Sequence, residues 1–126
     1  MKEFEKWFKK AEGDLIIISS VISLNDAPYD LCCFHAQQAS EKYLKAYLIS
    51  VNKDFPKIHD LFKLLHICIF KNPLFEEIEI ECKRLNDYAV TPRYPDDFDE
   101  LTLKDAQNAY ADAKAIKTFV ITHFFD

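Results

Sequence analysis

Residues 33–46 read Cys33-Phe34-His35-Ala36-Gln37-Gln38-Ala39-Ser40-Glu41-Lys42-Tyr43-Leu44-Lys45-Ala46. Cys33, Ala36, Ser40, Tyr43 and Leu44, continued by Tyr47 and Val51, recur at spacings of three and four. That is the period of an α-helix with a buried stripe, not the alternation of a strand. Leu31, Phe34 and Leu48 widen the apolar side, so this helix is expected to be covered on more than one flank. Its other side carries Gln38, Glu41, Lys42 and Lys45, which fall within an arc of about 100° at the helical repeat. Glu41 and Lys45 stand four residues apart, the spacing of an intrahelical ion pair.

Outward from this segment, the five prolines at 28, 56, 73, 92 and 95 mark the joints. A proline inside a helix removes a hydrogen bond and clashes with the preceding turn, and it pushes the residue before it out of the helical region. The stretches between them predict helices over about 3–23, 29–51, 59–70 and 74–88, with a last helix opening at Thr102. In the first, Phe4, Trp7, Phe8, Ala11, Leu15, Ile18 and Ile22 form the stripe. The third uses Leu61, Leu64, Leu65, Cys68 and Ile69, and the fourth Ile78, Cys82 and Leu85. Thr102 is a good N-cap, with Asp105 three residues on as a capping-box partner. Ala106, Ala109, Tyr110, Ala113, Ile116, Phe119, Val120 and Phe124 follow at helical spacing, the alanines allowing a close neighbour. Residues 89–101, with two prolines and several acids, predict an irregular loop of a length that often carries function. The fold class expected is all-α, in one domain over residues 1–126.

Composition excludes several function classes. A net charge of -5 argues against nucleic-acid binding through overall charge, though not against a local basic patch. No apolar run reaches the roughly 18 residues of a membrane span, and Met1-Lys2-Glu3-Phe4-Glu5-Lys6 is too charged for a secretory signal. A cytoplasmic protein is expected. One glycine, Gly13, leaves no room for a glycine-rich phosphate loop. The cysteines at 32, 33, 68 and 82 make no C-x-x-C pair and fall at apolar helical positions, where a thiol is a small buried hydrophobe. The histidines at 35, 59, 66 and 123 share no metal-ligand spacing, so no metal or cofactor is expected.

Three constellations carry candidate chemistry. The face of Gln38, Glu41, Lys42 and Lys45 is either a solvated helix surface or a polar groove with two cations for phosphate and amides for a base. His59, in His59-Asp60-Leu61, either caps the third helix or hydrogen-bonds to the preceding loop, or else acts in catalysis. Arg93, between Pro92 and Pro95, either clamps a phosphate or carboxylate bidentately or pairs with Asp96, Asp97 or Asp99.

Taken in order, the run 33–46, His59-Asp60-Leu61, and Tyr88 with Arg93-Tyr94-Pro95 resemble the HEPN domain (higher eukaryotes and prokaryotes nucleotide-binding). Trp7, Ala11 and Asp14-Leu15 fit that family's opening helix, so the resemblance spans nearly the whole chain. It implies an up-and-down antiparallel four-helix bundle with an additional short helix, commonly a homodimer with a polar cleft. It also implies a partner: prokaryotic members often stand beside a minimal nucleotidyltransferase in a toxin–antitoxin pair. Many members are metal-independent ribonucleases whose signature is an Arg followed, after four to six residues, by a His. This chain departs from that signature: neither Arg84 nor Arg93 is so followed, and the nearest substitute is Lys117 with His123. The expectation is a non-catalytic module that binds a nucleotide, RNA or a nucleotidyltransferase through Gln38, Glu41, Lys42, Lys45, His59 and Arg93. The alternative is a ribonuclease using Lys117 with His123, or His59 with Arg93.

Overall fold

A computed structural model of the chain describes residues 1–88 and 100–125. Among these the regular structure is helical: α1 Glu3–Val21, α2 Tyr29–Ser50, α3 Leu61–Lys71, α4 Glu79–Asn86 and α5 Leu103–Phe124, with a 3₁₀ segment, Pro73–Ile78, leading into α4. The all-α class expected from the periodicity is what the chain forms. The loop expected over 89–101, with Arg93, Tyr94 and Pro95, lies outside the described residues except for Glu100 and Leu101.

Side-chain contacts fix the directions of the helices. Asp14 meets His35, Phe8 meets Tyr43 and Trp7 meets Lys45, so α1 and α2 are antiparallel. Phe4 meets Phe125 and Glu12 meets Lys117, so α5 also runs against α1. Phe75 packs on Phe119 and Phe124 while Arg84 reaches Asp112, which sets α4 against α5. In chain order, α1, α2, α4 and α5 alternate up and down. The short α3 is the additional helix, packed on α2 and α4.

The central rod is α2. Thirteen of its 22 residues are buried, because α1, α3, α4 and α5 all pack on it. Leu44 and Leu48 are wholly enclosed, and truncating a leucine in such a place to alanine costs about 2–5 kcal/mol. Leu31 is not part of this core, contrary to its sequence reading: it is half exposed. At 100° per residue it shares a side with Gln38, Lys42 and Lys45, not with Cys33 and Tyr47.

Local chemistry sets the ends of the elements. At the end of α2, Asn52 turns left-handed with φ 55, a conformation asparagine tolerates better than most residues. Lys53 N–H then donates to the Leu48 carbonyl at 2.8 Å and Asn52 N–H to that of Ile49 at 3.0 Å, the paired bonds that close a helix C-terminus. This turn throws residues 52–59 back alongside α2. Helix α3 begins two residues later than expected, since Asp60 is its cap, accepting from Lys63 N–H at 3.0 Å. The single helix expected over 74–88 is split. Phe75 and Ile78, three residues apart, are both buried, and the three-residue repeat of a 3₁₀ turn puts both on one side. At α5 the expected box forms: Thr102 Oγ1 accepts from Asp105 N–H at 3.2 Å, and Asp105 Oδ2 from Thr102 N–H at 2.8 Å. Among the described residues no helix is long and apolar enough to cross a membrane.

Candidate functional site

The polar face of α2 is not a solvated surface. Glu41 is only 2% exposed and Lys45 7%, because α1 closes one flank and the returning 52–59 segment the other. The Glu41–Lys45 pair expected from i,i+4 spacing forms at 2.7 Å through Oε1. The same oxygen meets His59 Nδ1 at 3.0 Å, and Oε2 accepts from Gln38 Nε2 at 3.2 Å. Gln38 Nε2 also donates to Gln37 Oε1 at 2.8 Å, and Gln37 Nε2 donates to the His59 carbonyl at 3.0 Å. Gln37, Gln38, Glu41 and His59 thus close a circuit that pins the returning segment to α2. No buried side-chain polar atom among the described residues is left without a partner, as the cost of an unpaired buried group requires.

Above this circuit opens a cleft of about 670 Å³, lined by Trp7 and Glu3 of α1, Lys45 and Ile49 of α2, and Asn52, Lys53, Asp54, Phe55, Lys57 and His59 of the returning segment. Lys45 is its hinge. Its Nζ lies 5.5 Å from the centre of the Trp7 ring and 5.9 Å from that of Phe55, within the reach of cation–π attraction. Two aromatic faces therefore flank an ammonium that a buried carboxylate holds from below. The rim is mixed in charge: Lys53 and Lys57 stand with Glu3 and Asp54. A ligand held here would be gripped by stacking and a few directed contacts, not drawn in by a strongly positive field.

Four of the six expected site residues, Gln38, Glu41, Lys45 and His59, belong to one network. Lys42 belongs to another. One step around the same face, its Nζ donates to Asp14 Oδ2 at 2.6 Å, and His35 Nδ1 meets Asp14 Oδ1 at 2.9 Å. Arg93 lies outside the described residues. His59 does not cap α3, which Asp60 does; its ring serves Glu41 instead.

Of the residues in the ribonuclease alternative, Lys117 pairs with Glu12 at 2.6 Å, and His123 Nδ1 meets the Phe119 carbonyl at 3.0 Å. Six residues apart on a helix, the two side chains diverge by about 120°. Burial alone would raise the Glu12 carboxyl, but the hydrogen bonds from Lys117 and Tyr43 outweigh it and hold it below its ordinary value. Arg84 makes a two-pronged bond to Asp112, Nε to Oδ2 at 2.9 Å and a terminal nitrogen to Oδ1 at 2.7 Å.

Sequence reasoning missed Asp14, Gln37, Asp112 and the cleft walls Trp7, Phe55, Lys53 and Lys57. Three of these had a signal. Asp14 falls within the Ala11–Leu15–Ile18 stripe, Asp112 within Ala109–Ala113–Ile116, and Gln37 beside Cys33 and Ala36. A polar group on a stripe bound for the core must bring a partner with it. The cleft walls had none, because they meet only through the return of the chain after Asn52.

All four cysteines are free and buried, as their apolar positions suggested. Burial, with the Asp105 charge nearby, pushes the Cys33 thiol up to about 12. Among the described residues no group of three or more His, Cys, Asp or Glu side chains is placed to hold a metal ion.

Comparison with known proteins bears on the whole chain. Residues 4–123 match the HEPN domain. The structure of ST0689, an archaeal HEPN homologue, superposes with a TM-score of 0.74 at 30% identity, over 97% of this chain and 98% of that one. TT1696 from Thermus thermophilus superposes with a TM-score of 0.77 at 26% identity, over the same shares. No curated protein matches the chain.

Proposed function

The chain belongs to the HEPN domain family, and from that premise we propose that it is a nucleotide-binding module acting without catalysis of its own. The observation that carries this reading is Lys45, an ammonium between the Trp7 and Phe55 rings, aimed by the buried Glu41. Aromatic faces beside a directed cation suit a ligand that is itself a flat ring joined to an anion. The base stacks on Trp7 or Phe55, the phosphates take Lys45 with Lys53 or Lys57, and His59 and Asn52 supply hydrogen bonds to base or ribose. Lys42, neutralised by Asp14, has a supporting part: it holds α1 against α2 and so keeps Trp7 over the cleft.

Calorimetric titration of the purified chain with ATP tests this. Saturable heat that Lys45→Ala abolishes is expected. No heat at millimolar ligand from a folded protein would overturn the reading. The same proposal, resting on the family resemblance alone, makes the chain a homodimer that pairs with a minimal nucleotidyltransferase in a toxin–antitoxin system. Co-purification of the two from a shared operon tests that part.

One observation favours the ribonuclease alternative. Glu41 holds Nδ1 of His59, a ring that is otherwise largely open to solvent. A carboxylate fixing one imidazole nitrogen leaves the other to accept or give a proton. Cleavage of single-stranded RNA by metal-free protein, abolished by His59→Ala, would promote this reading over the first.

A further inference from the structure

One oxygen of a buried carboxylate serves two basic side chains. Glu41 Oε1 takes Lys45 Nζ at 2.7 Å and His59 Nδ1 at 3.0 Å. An ionised carboxylate only accepts, so Nδ1 carries the proton, and in the neutral ring Nε2 is left as an acceptor. The His59 side chain is 69% exposed and lines the cleft, while that of Glu41 is 3% exposed beneath it. The ring is therefore open to a proton from solvent without having to leave Glu41.

The charges around the ring decide what that proton does. Among the described residues the cleft is lined by Lys45 of α2 and by Lys53 and Lys57 of the returning segment, against Glu3 of α1 and Asp54. Glu41 beneath brings the carboxylates level with the ammonium groups. Asp60, next to His59 in the chain, is turned to the first turn of α3, where it accepts from Lys63 N–H at 3.0 Å. Asn86 of α4, which accepts from Leu61 N–H at 2.9 Å, brings no charge. The cleft is thus balanced while His59 is neutral and positive by one when it is charged. Histidine is the side chain that makes this change between pH 5 and 8. The added charge has no carboxylate of its own, because Oε1 already holds Lys45 and Oε2 accepts from Gln38.

We propose that an anion in the cleft is the missing partner, so that the ligand is taken up together with a proton on His59 and binds more tightly toward acid pH. This rests on the nucleotide reading of the cleft and adds its control. The sign follows from linkage. Negative charge in the cleft favours the charged ring, so the complex holds more protons than the free protein, and affinity falls as pH rises through the histidine range. Charging the ring also turns Nε2 from an acceptor into a donor toward the ligand. The Glu41 contact is kept in both states, so the control works through charge and not through opening of the 52–59 segment.

The test is calorimetric titration with ATP at pH 6, 7 and 8, each in two buffers of different ionisation enthalpy, on the full chain and on His59→Asn. Asparagine keeps an N–H to offer Glu41 but cannot take a charge; circular dichroism checks that the variant is folded. The phosphates of ATP titrate in the same range, and the variant removes that contribution by comparison. Affinity of the wild-type chain should fall from pH 6 to pH 8 by about tenfold more than that of His59→Asn, the equivalent of one pH unit of differential protonation. The wild-type chain should also take up more protons per ATP at pH 7. The same pH profile and proton count in both proteins would overturn the proposal. A second measurement needs no variant: the His59 ring resonance, followed through pH, should stay in its charged form to higher pH when ATP is bound, and a titration that ATP leaves unmoved would overturn the proposal by itself. Failure of ATP to bind at any of these pH values would instead remove the nucleotide reading, and this control with it.

Discussion

Glu41→Gln should be among the most damaging single-atom changes in this chain. The substitution keeps the shape of the side chain and one acceptor oxygen but removes the charge. In the folded protein that charge meets Lys45 Nζ at 2.7 Å and His59 Nδ1 at 3.0 Å on one oxygen, and Gln38 at 3.2 Å on the other. Breaking a buried pair from one side costs about 3–5 kcal/mol, because the surviving charge is stranded. Here Lys45 borders an open cleft and keeps its contacts to Trp7 and Phe55, so water can relieve part of the loss. A cost of about 2–3 kcal/mol is expected. Against a total stability of about 5–15 kcal/mol that is a large share. In urea it should lower the unfolding midpoint by about 1–2 M. Urea unfolding followed by circular dichroism measures it.

A second arm separates stranding from mere loss of contact. Adding Lys45→Met to Glu41→Gln removes the stranded charge, so the double variant should recover at least 1 kcal/mol, roughly, relative to the single one. A Glu41→Gln cost below about 0.5 kcal/mol, the level of an ordinary surface substitution, would refute the reasoning. Strict additivity of the two changes would refute it as well.

Other expectations are simpler. Gly13 lies in the interior of α1, and a Cβ added there would meet nothing within 4 Å. Gly13→Ala should therefore stabilise by up to about 1 kcal/mol, seen as a rise in Tm of about 3–5 °C; a fall would show that the helix needs the glycine. The Glu12 carboxyl is held below its ordinary value by Lys117 and Tyr43 against the opposing effect of burial. Its contribution is then present above the unfolded-state value and lost as pH falls through the folded one. Glu12→Gln should be less stable than the parent at neutral pH, and the gap should close in acid; a gap constant with pH would contradict this. A chromogenic disulfide reagent should find no fast-reacting thiol in the native chain and all four after denaturation, since Cys32, Cys33, Cys68 and Cys82 are buried with raised pKa values.

The bundle was legible because its signals are local. Periodicity, proline placement and the Thr102–Asp105 box each depend on residues within a turn or two of one another. The Glu41–Lys45 pair was legible for the same reason. What escaped was tertiary. Local spacing pairs Lys45 with Glu41 but says nothing of Lys42, which turns to Asp14 across the α1–α2 seam. That choice is made by a partner 28 residues away for Lys42. The walls of the cleft depend on the left-handed turn at Asn52, where an asparagine stands in for the glycine that usually announces a helix end.

Trp7 is the sole tryptophan of the chain and forms one wall of the cleft. Its fluorescence during titration with ATP reports the occupied site without any label. Saturable quenching in the wild-type chain, absent from folded Lys45→Ala, is the expected result. An emission that ignores ATP, or one quenched alike in the parent and in Lys45→Ala, would contradict a nucleotide site built around that lysine.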